Sequence, residues 1–310
     1  LNTGGGSAQA MPLYDKFVSQ AKKLMPKYLI MIIPSRWFAG GMSLDKFREE
    51  MISDNHLVDL IDYSNAKDCF PGNSIGGGVC YFKWDKNYNS ACRVTNNHMG
   101  ITNTMIRNLN QFNIFVRYNE AISIIEKIQA LGEHTMDSVC SSLNPFCINS
   151  SERGNSKYFT GSISLYSSKG EGFILPNPQL IGNRYYNCYK VMISKTTAEH
   201  AGEPDRDGKF RVISTLRVLK PTDICTFSYF IIGGVDGKME AQNLIEYLKT
   251  KFVRILILQA VSSINLSKDK FCFVPLQDFS KPWTDEELYK KYNLSQEEID
   301  FIESMIKPME

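Results

Sequence analysis

Ser35, Arg36 and Phe70 stand where an α/β chain places groups that act on a ligand. Residues 28–33, YLIMII, form a continuous apolar run of the kind buried on both faces of an α/β sheet, and Pro34 cannot extend its hydrogen-bond ladder. Ser35, Arg36 and Trp37 therefore fall just past the carboxyl end of a strand, the edge at which open α/β sheets bind ligands. A guanidinium there offers a fork that matches phosphate oxygens, and it suits equally well a local ion pair with Asp62 or Asp68. Phe70 begins a Phe-Pro-Gly turn with Pro71 and Gly72, and an aromatic ring in such a turn more often plugs a sheet edge than meets a ligand.

The elements that position these residues follow from periodicity. Tyr14, Phe17, Val18, Ala21 and Leu24 recur at helical spacing over 12–24, with Pro12 near the first turn. A second helix over 44–52 puts Leu44, Phe47, Met51 and Ile52 on one face, with Ser43 as its cap. Strands follow over 56–63 and 79–84, separated by the turn at 68–72 and the glycines Gly76 to Gly78. The whole predicts a mixed α/β sheet with an antiparallel hairpin at its edge. Residues 85–100 are polar and rich in Asn, and read as a linker. Gly4, Gly5 and Gly6 have no strand before them, so they read as a flexible start and not as a nucleotide loop, and Leu1 at the first position reads as a cut.

Further on, a helix over 119–131 buries Ala121, Ile124, Ile125, Ile128 and Leu131. Short strands such as 158–166 and 189–194 alternate with Gly and Pro. A single apolar stripe, Ala241 to Leu258, carries Lys249, Lys251 and Arg254 at its edges. Two capping boxes, Thr284 with Glu287 and Ser295 with Glu298, start short helices in the tail.

A net charge of +2 over 310 residues requires that any polyanion surface come from local segregation. That segregation exists: eight basic residues against four acidic ones between Arg184 and Lys220, then four lysines against eight carboxylates from Ser280 to Glu310. The eight cysteines form no CxxC pair, and Cys92 with His98 lacks two further ligands for zinc. Without a secretory signal or a membrane-length apolar run, they read as thiols in a reducing cytoplasm. Asp205 and the Asp236-Gly237-Lys238 triplet superficially suggest a metal nuclease, but both lie in glycine-containing turns.

The strings IIPSRWFAGG and CFPGNSIGGGVCYF, joined by a helix and a strand, resemble the late motifs of gamma-type adenine-N6 DNA methyltransferases. They are especially similar to the fused type IIG restriction-modification enzymes. SVCSSLNPFCINS, NCYKVMISKTTAEHAGEPDRDGK and VLKPTDICTFSYFIIGG resemble their target-recognition domain.

The resemblance implies an α/β fold: the C-terminal part of a Rossmann-like methyltransferase sheet (residues 1–95), then a mixed α+β recognition domain (96–277) and a helical tail (278–310). It implies that Phe70, with Pro71, stacks on a flipped adenine. Ser35 and Arg36 would meet DNA near that base. Further DNA contacts are expected from Tyr185, Tyr186, Lys190, Lys195, Arg211, Arg217, Lys249 and Arg254. No Asn-Pro-Pro-Tyr occurs in the chain. S-adenosylmethionine is therefore expected to bind the missing N-terminal methyltransferase half, with or without a fused endonuclease, and the fragment alone is expected to be inactive. The other reading is a stand-alone DNA-specificity module that never had a catalytic half.

Overall fold

The computed structural model describes residues 12–40, 43–73, 75–199, 204–261 and 264–309. The Gly4–Gly6 stretch, Leu1, and parts of three quoted motifs (Gly41, Ser74 and 200–203) lie outside the described residues. The chain divides into two compact units. The first comprises Leu1–Ile122, Glu199–Gly208 and Gln259–Ser263; the second comprises Ser123–Ala198, Lys209–Leu258 and Ile264–Glu310.

The first unit contains helices α1 (Tyr14–Lys23) and α2 (Asp45–Ile52) and strands β1 (Tyr28–Pro34), β2 (Leu57–Tyr63), β3 (Val79–Asp85), β4 (Cys92–His98) and β5 (Ile101–Arg107). They form one mixed sheet in the order β1-β3-β2-β4-β5, in which only β2 and β4 are parallel neighbours. β3 is antiparallel to both β1 and β2, with Tyr28 opposite Asp85 and Tyr63 opposite Val79. The expected hairpin strand therefore lies inside the sheet and not at its edge. As a result β1, β2 and β4 all run the same way, and their carboxyl ends share one side.

Three expectations for this unit are corrected. β1 is an edge strand, and its alternate residues Tyr28, Ile30 and Ile32 are exposed, Ile30 by 67%, whereas Ile33 is buried. An apolar run alone does not distinguish a central strand from an edge strand with one uncovered face. The Asn-rich stretch read as a linker is β4, a central strand, so the boundary expected near residue 95 falls inside it. Its asparagines are retained because their amides bind neighbouring backbone, as the site below shows. Finally, α2 starts from Leu44 without a side-chain cap, and Ser43 has φ +64°. Leu44, Phe47, Met51 and Ile52 are nonetheless buried, and with Trp37, Phe38, Phe82 and Leu60 they build the core. In α1 only Val18 is fully buried, and Phe17 and Leu24 are exposed.

The chain leaves the first unit along α3 (Ala121–Ala130). The second unit holds β6 (Ile163–Ser167), β7 (Gly170–Ile174), α4 (Pro178–Ile181), β8 (Tyr189–Ser194), β9 (Leu216–Leu219), β10 (Ile224–Cys225) and β11 (Tyr229–Val235). These make two three-stranded sheets, β10-β6-β7 and β11-β8-β9. The stripe Ala241 to Leu258 is not one helix. It breaks at Thr250 (ψ 149°) into α5 (Lys238–Lys249) and α6 (Lys251–Ala260), and the Thr250 hydroxyl donates back to the Tyr247 carbonyl. Both halves keep the apolar face, so the periodicity survives a break that it cannot reveal. The tail helices α7 (Asp285–Lys291) and α8 (Gln296–Met305) begin at the two expected capping boxes, with Thr284 and Ser295 accepting from the backbone of Glu287 and Glu298.

Candidate nucleic-acid interface

Ser35 follows β1 directly, Asp62 to Ser64 end β2, Asn96 to His98 end β4, and Gly78 precedes β3. The sheet brings all of them to one edge. Ser35 is fully buried; its hydroxyl donates to Asp62 Oδ1 at 2.7 Å and its amide donates to the Gly78 carbonyl at 3.0 Å. Arg117 occupies the rest of Asp62: Nε donates to Oδ2 at 2.6 Å and Nη2 to Oδ1 at 2.9 Å. Burial works against the Arg117 charge, but the Asp62 carboxylate outweighs it and raises the guanidinium pKa above its usual value. A bidentate buried pair of this kind is an anchor, because removing either partner strands the other.

Gly78 makes this closure possible. Its φ is +82°, and a Cβ there would lie 2.2 Å from the Tyr63 carbonyl and 2.7 Å from Arg117 Nη2. Only glycine fits both the conformation and the space. The β4 asparagines complete the network. Asn96 Nδ2 donates to the Arg117 carbonyl at 2.8 Å, and its Oδ1 accepts from the Asn119 amide. Ser64 and His98 Nδ1 are 2.8 Å apart, and His98 Nε2 is 2.9 Å from the Gly208 carbonyl. A carbonyl only accepts, so Nε2 carries the proton and Nδ1 accepts from the Ser64 hydroxyl. Burial lowers the His98 pKa.

Ser35 is therefore held inside the network, and Asp62 takes Arg117, not Arg36, as its partner; Arg36 is half-buried. Phe70 lies in the turn, its amide donating to the Ala66 carbonyl at 2.8 Å and its carbonyl accepting from Asn73 at 3.0 Å. Its ring is 37% exposed and Pro71 is exposed beside it. Sequence reasoning missed Arg117, Asn96 and His98. A signal for Arg117 exists: a lone arginine in the apolar stretch FNIFVRY needs a buried partner.

In the second unit the expected basic set splits. Lys190 is 0% exposed; its Nζ donates to the carbonyls of Cys188 and Lys220 at 3.2 and 2.9 Å, and burial pushes its pKa down to about 8. Arg254 is also 0% exposed, with Nε donating to the Lys249 and Thr250 carbonyls and Nη1 to the Arg211 carbonyl. It covers carbonyls at the end of α5, a favoured place for a cation. Tyr185 and Tyr186 are buried in the core of this unit. These four are corrected from surface contacts to internal groups. Lys195 is half-buried over the Phe227 ring, its Nζ lacks a hydrogen-bond partner among the described residues, and burial pushes its pKa to about 8. Arg211 and Arg217 are exposed, Arg217 stacking 4.7 Å from the centroid of Tyr166. Lys249 is half-buried and pairs with Glu246 at 3.2 Å. No cluster of metal-ligating side chains and no membrane-length apolar helix occurs among the described residues.

Residues 2–70 match the Eco57I restriction-modification methylase family. An uncharacterized adenine-specific methylase of Mycoplasma pneumoniae is 36% identical over 91 residues, which is 28% of this chain and 22% of that protein's length. The type IIG restriction endonuclease BpuSI superposes with a TM-score of 0.31 and 11% identity over 86% of this chain and 42% of that one, too loose a likeness to carry argument. The family match over residues 2–70 ends at the Phe70 turn, and the chain spans 22% of the length of the curated relative it resembles.

Proposed function

We propose that the chain is the C-terminal part of a restriction-modification adenine methyltransferase. In this reading the first unit presents Phe70 to an extruded adenine and the second unit recognises DNA. The observation that carries it is the family match ending at a turn whose aromatic residue is partly exposed. An aromatic face offsets the stacking that an extruded base loses, by about 1–3 kcal/mol. The turn that carries the ring is closed by its own backbone hydrogen bonds, from the Phe70 amide to the Ala66 carbonyl and from Asn73 to the Phe70 carbonyl, which hold it ready to do so.

The family's methyl donor is S-adenosylmethionine, which supplies an electrophilic methyl group when bound. The residues at this edge do not fit as its holders: the Asp62 carboxylate already accepts three hydrogen bonds from Ser35 and Arg117. The donor therefore belongs to an upstream methylase half, the partner this reading requires. For the DNA surface, Arg211, Arg217 and Lys249 are the members of the basic set retained as phosphate contacts.

The test is methyl transfer to adenine N6 in duplex DNA after the chain is joined to such an upstream half, together with a salt-titrated mobility shift of the chain alone. Transfer with salt-sensitive binding supports the reading. Salt-sensitive binding without transfer would instead favour a stand-alone specificity module, and no complex at low salt would count against DNA recognition by this part of the chain.

A further inference from the structure

The second unit contains a cavity of about 500 Å³ that the methylase reading does not use. Its volume lies within the range of sites for nucleoside-sized ligands. A glycine pair opens it. The register of β11 shifts between Ile232 and Val235, so that Gly233 and Gly234 form a bulge in the cavity wall. Gly233 has φ +77°, and a Cβ there would meet Leu244 at 2.8 Å. A Cβ on Gly234 would project toward Cys188 Sγ and the Tyr185 ring, 3.6 Å from each, and would occupy the space itself. Glycine in a strand marks a place where another group approaches the backbone closely.

The lining has a definite chemistry. The Gly233–Gly234 backbone gives a wall without side chains, and Tyr185 and Phe279 supply aromatic surface. The Arg184 guanidinium lies over the Tyr185 ring, 4.4 Å from its centroid, and donates from Nη2 to the Tyr185 hydroxyl, which fixes its remaining donors at the cavity wall. Asp236, exposed at the cavity, supplies an acceptor of opposite charge. Planar walls select a flat ligand, and an arginine with an aspartate selects one that has both an acceptor edge and a donor edge. Guanine meets this demand: O6 and N7 accept from an arginine fork, while N1–H and N2–H₂ donate side by side to a carboxylate. Adenine has no such pair of adjacent donors.

We propose that this cavity binds a guanine base, carried either by a free nucleotide or by a nucleic-acid strand. The site is independent of the Phe70 turn, and the proposal stands whether or not the chain is part of a methylase.

The test uses the full chain with three probes: guanosine monophosphate, a short guanine-containing single-stranded oligonucleotide, and L-phenylalanine, whose ammonium and carboxylate also complement Asp236 and Arg184. The readout is the rate of iodoacetamide labelling of Cys188, which lines the cavity, against Cys147, which is exposed and outside its lining. A guanine probe is expected to slow labelling of Cys188 at least about threefold and leave Cys147 unchanged. Gly234→Val should abolish the protection without unfolding the chain, since Gly234 is not in the left-handed region and its Cβ would make ordinary contacts. Asp236→Asn and Arg184→Gln should each raise the probe concentration needed for half-maximal protection about tenfold, the weakening of one charge-assisted contact. Protection by guanosine monophosphate would identify a free nucleotide as the source, and protection by the oligonucleotide alone would identify nucleic acid. Protection by L-phenylalanine but not by guanine, no protection by either guanine probe, or full protection in the Gly234→Val variant would overturn the proposal.

Discussion

The two units bury cations by different means. In the first, Arg117 is matched by a carboxylate, and Asp62, Ser35 and Gly78 close around it. In the second, main-chain carbonyls at a strand pair and at a helix end receive the protons of Lys190 and Arg254. The difference teaches that a basic residue in a basic segment is not thereby a surface contact. Carbonyls left open by chain ends and breaks also demand donors, and they leave no trace of charge in the sequence.

The comparison is broken first at Asp62. Asp62→Ala leaves Arg117 charged and buried without its partner, and should cost about 3–5 kcal/mol in urea unfolding; a loss below about 1 kcal/mol would mean that the pair is not an anchor. Arg254→Ala should cost less, about 1–3 kcal/mol, since it strips donors from main-chain carbonyls. Lys190→Met, which keeps the length of the chain without its ammonium, should change stability by about 1 kcal/mol or less. Neither variant should alter the salt dependence of DNA binding, which is where the surface-contact reading of these residues would show itself.

The exposed pair gives the opposite result. Arg211→Ala with Arg217→Ala should leave stability within about 0.5 kcal/mol per site. It should reduce the slope of log affinity against log salt by about 1.8, the release of two phosphate counterions. An unchanged slope in a mobility shift would remove both residues from the interface.

A smaller effect sharpens the comparison through pH. The Lys190 pKa of about 8 lies below the ordinary lysine value of 10.5, so the unfolded chain binds more protons between those values. Lys190 therefore contributes a rise in stability with pH across that window, against which the buried thiols of Cys80, Cys92 and Cys225, pushed up to about 12, contribute a fall above about 9. Lys195 shares the same shift, so Lys190→Met should remove only part of the rise that the two lysines contribute. A stability difference between the parent chain and Lys190→Met that stays constant across this window would contradict the assignment of a buried, desolvated ammonium group at Lys190.

Much of the first unit was legible because its elements are short and strongly patterned. Phe47, Met51 and Ile52 fall on one helical face and Val79 to Trp84 alternate, and in the second unit the two tail capping boxes carry their own start signals. What was illegible depended on pairing. β4 reads as a polar linker because Asn96 binds the Arg117 and Asn119 backbone, and Asn97 the Asp62 carbonyl, all more than 20 residues away. β1 reads as a central strand because exposure of Ile30 and Ile32 is set by what covers them and not by what they are. The same holds for the candidate site. Phe70 was identified as a residue on a turn, whereas the Asp62–Arg117 pair bridges 55 positions, a separation no local pattern encodes.

The central claim is that the Phe70 ring serves an extruded adenine, and it is tested most directly by N6 methylation of duplex DNA with the chain joined to an upstream methylase half. Phe70→Ala should lower turnover about tenfold or more, the loss of at least one stacking contact, while Phe70→Trp retains most of it. If Phe70→Ala methylates as fast as the parent, the ring is a plug at the sheet edge and the account of this site is wrong.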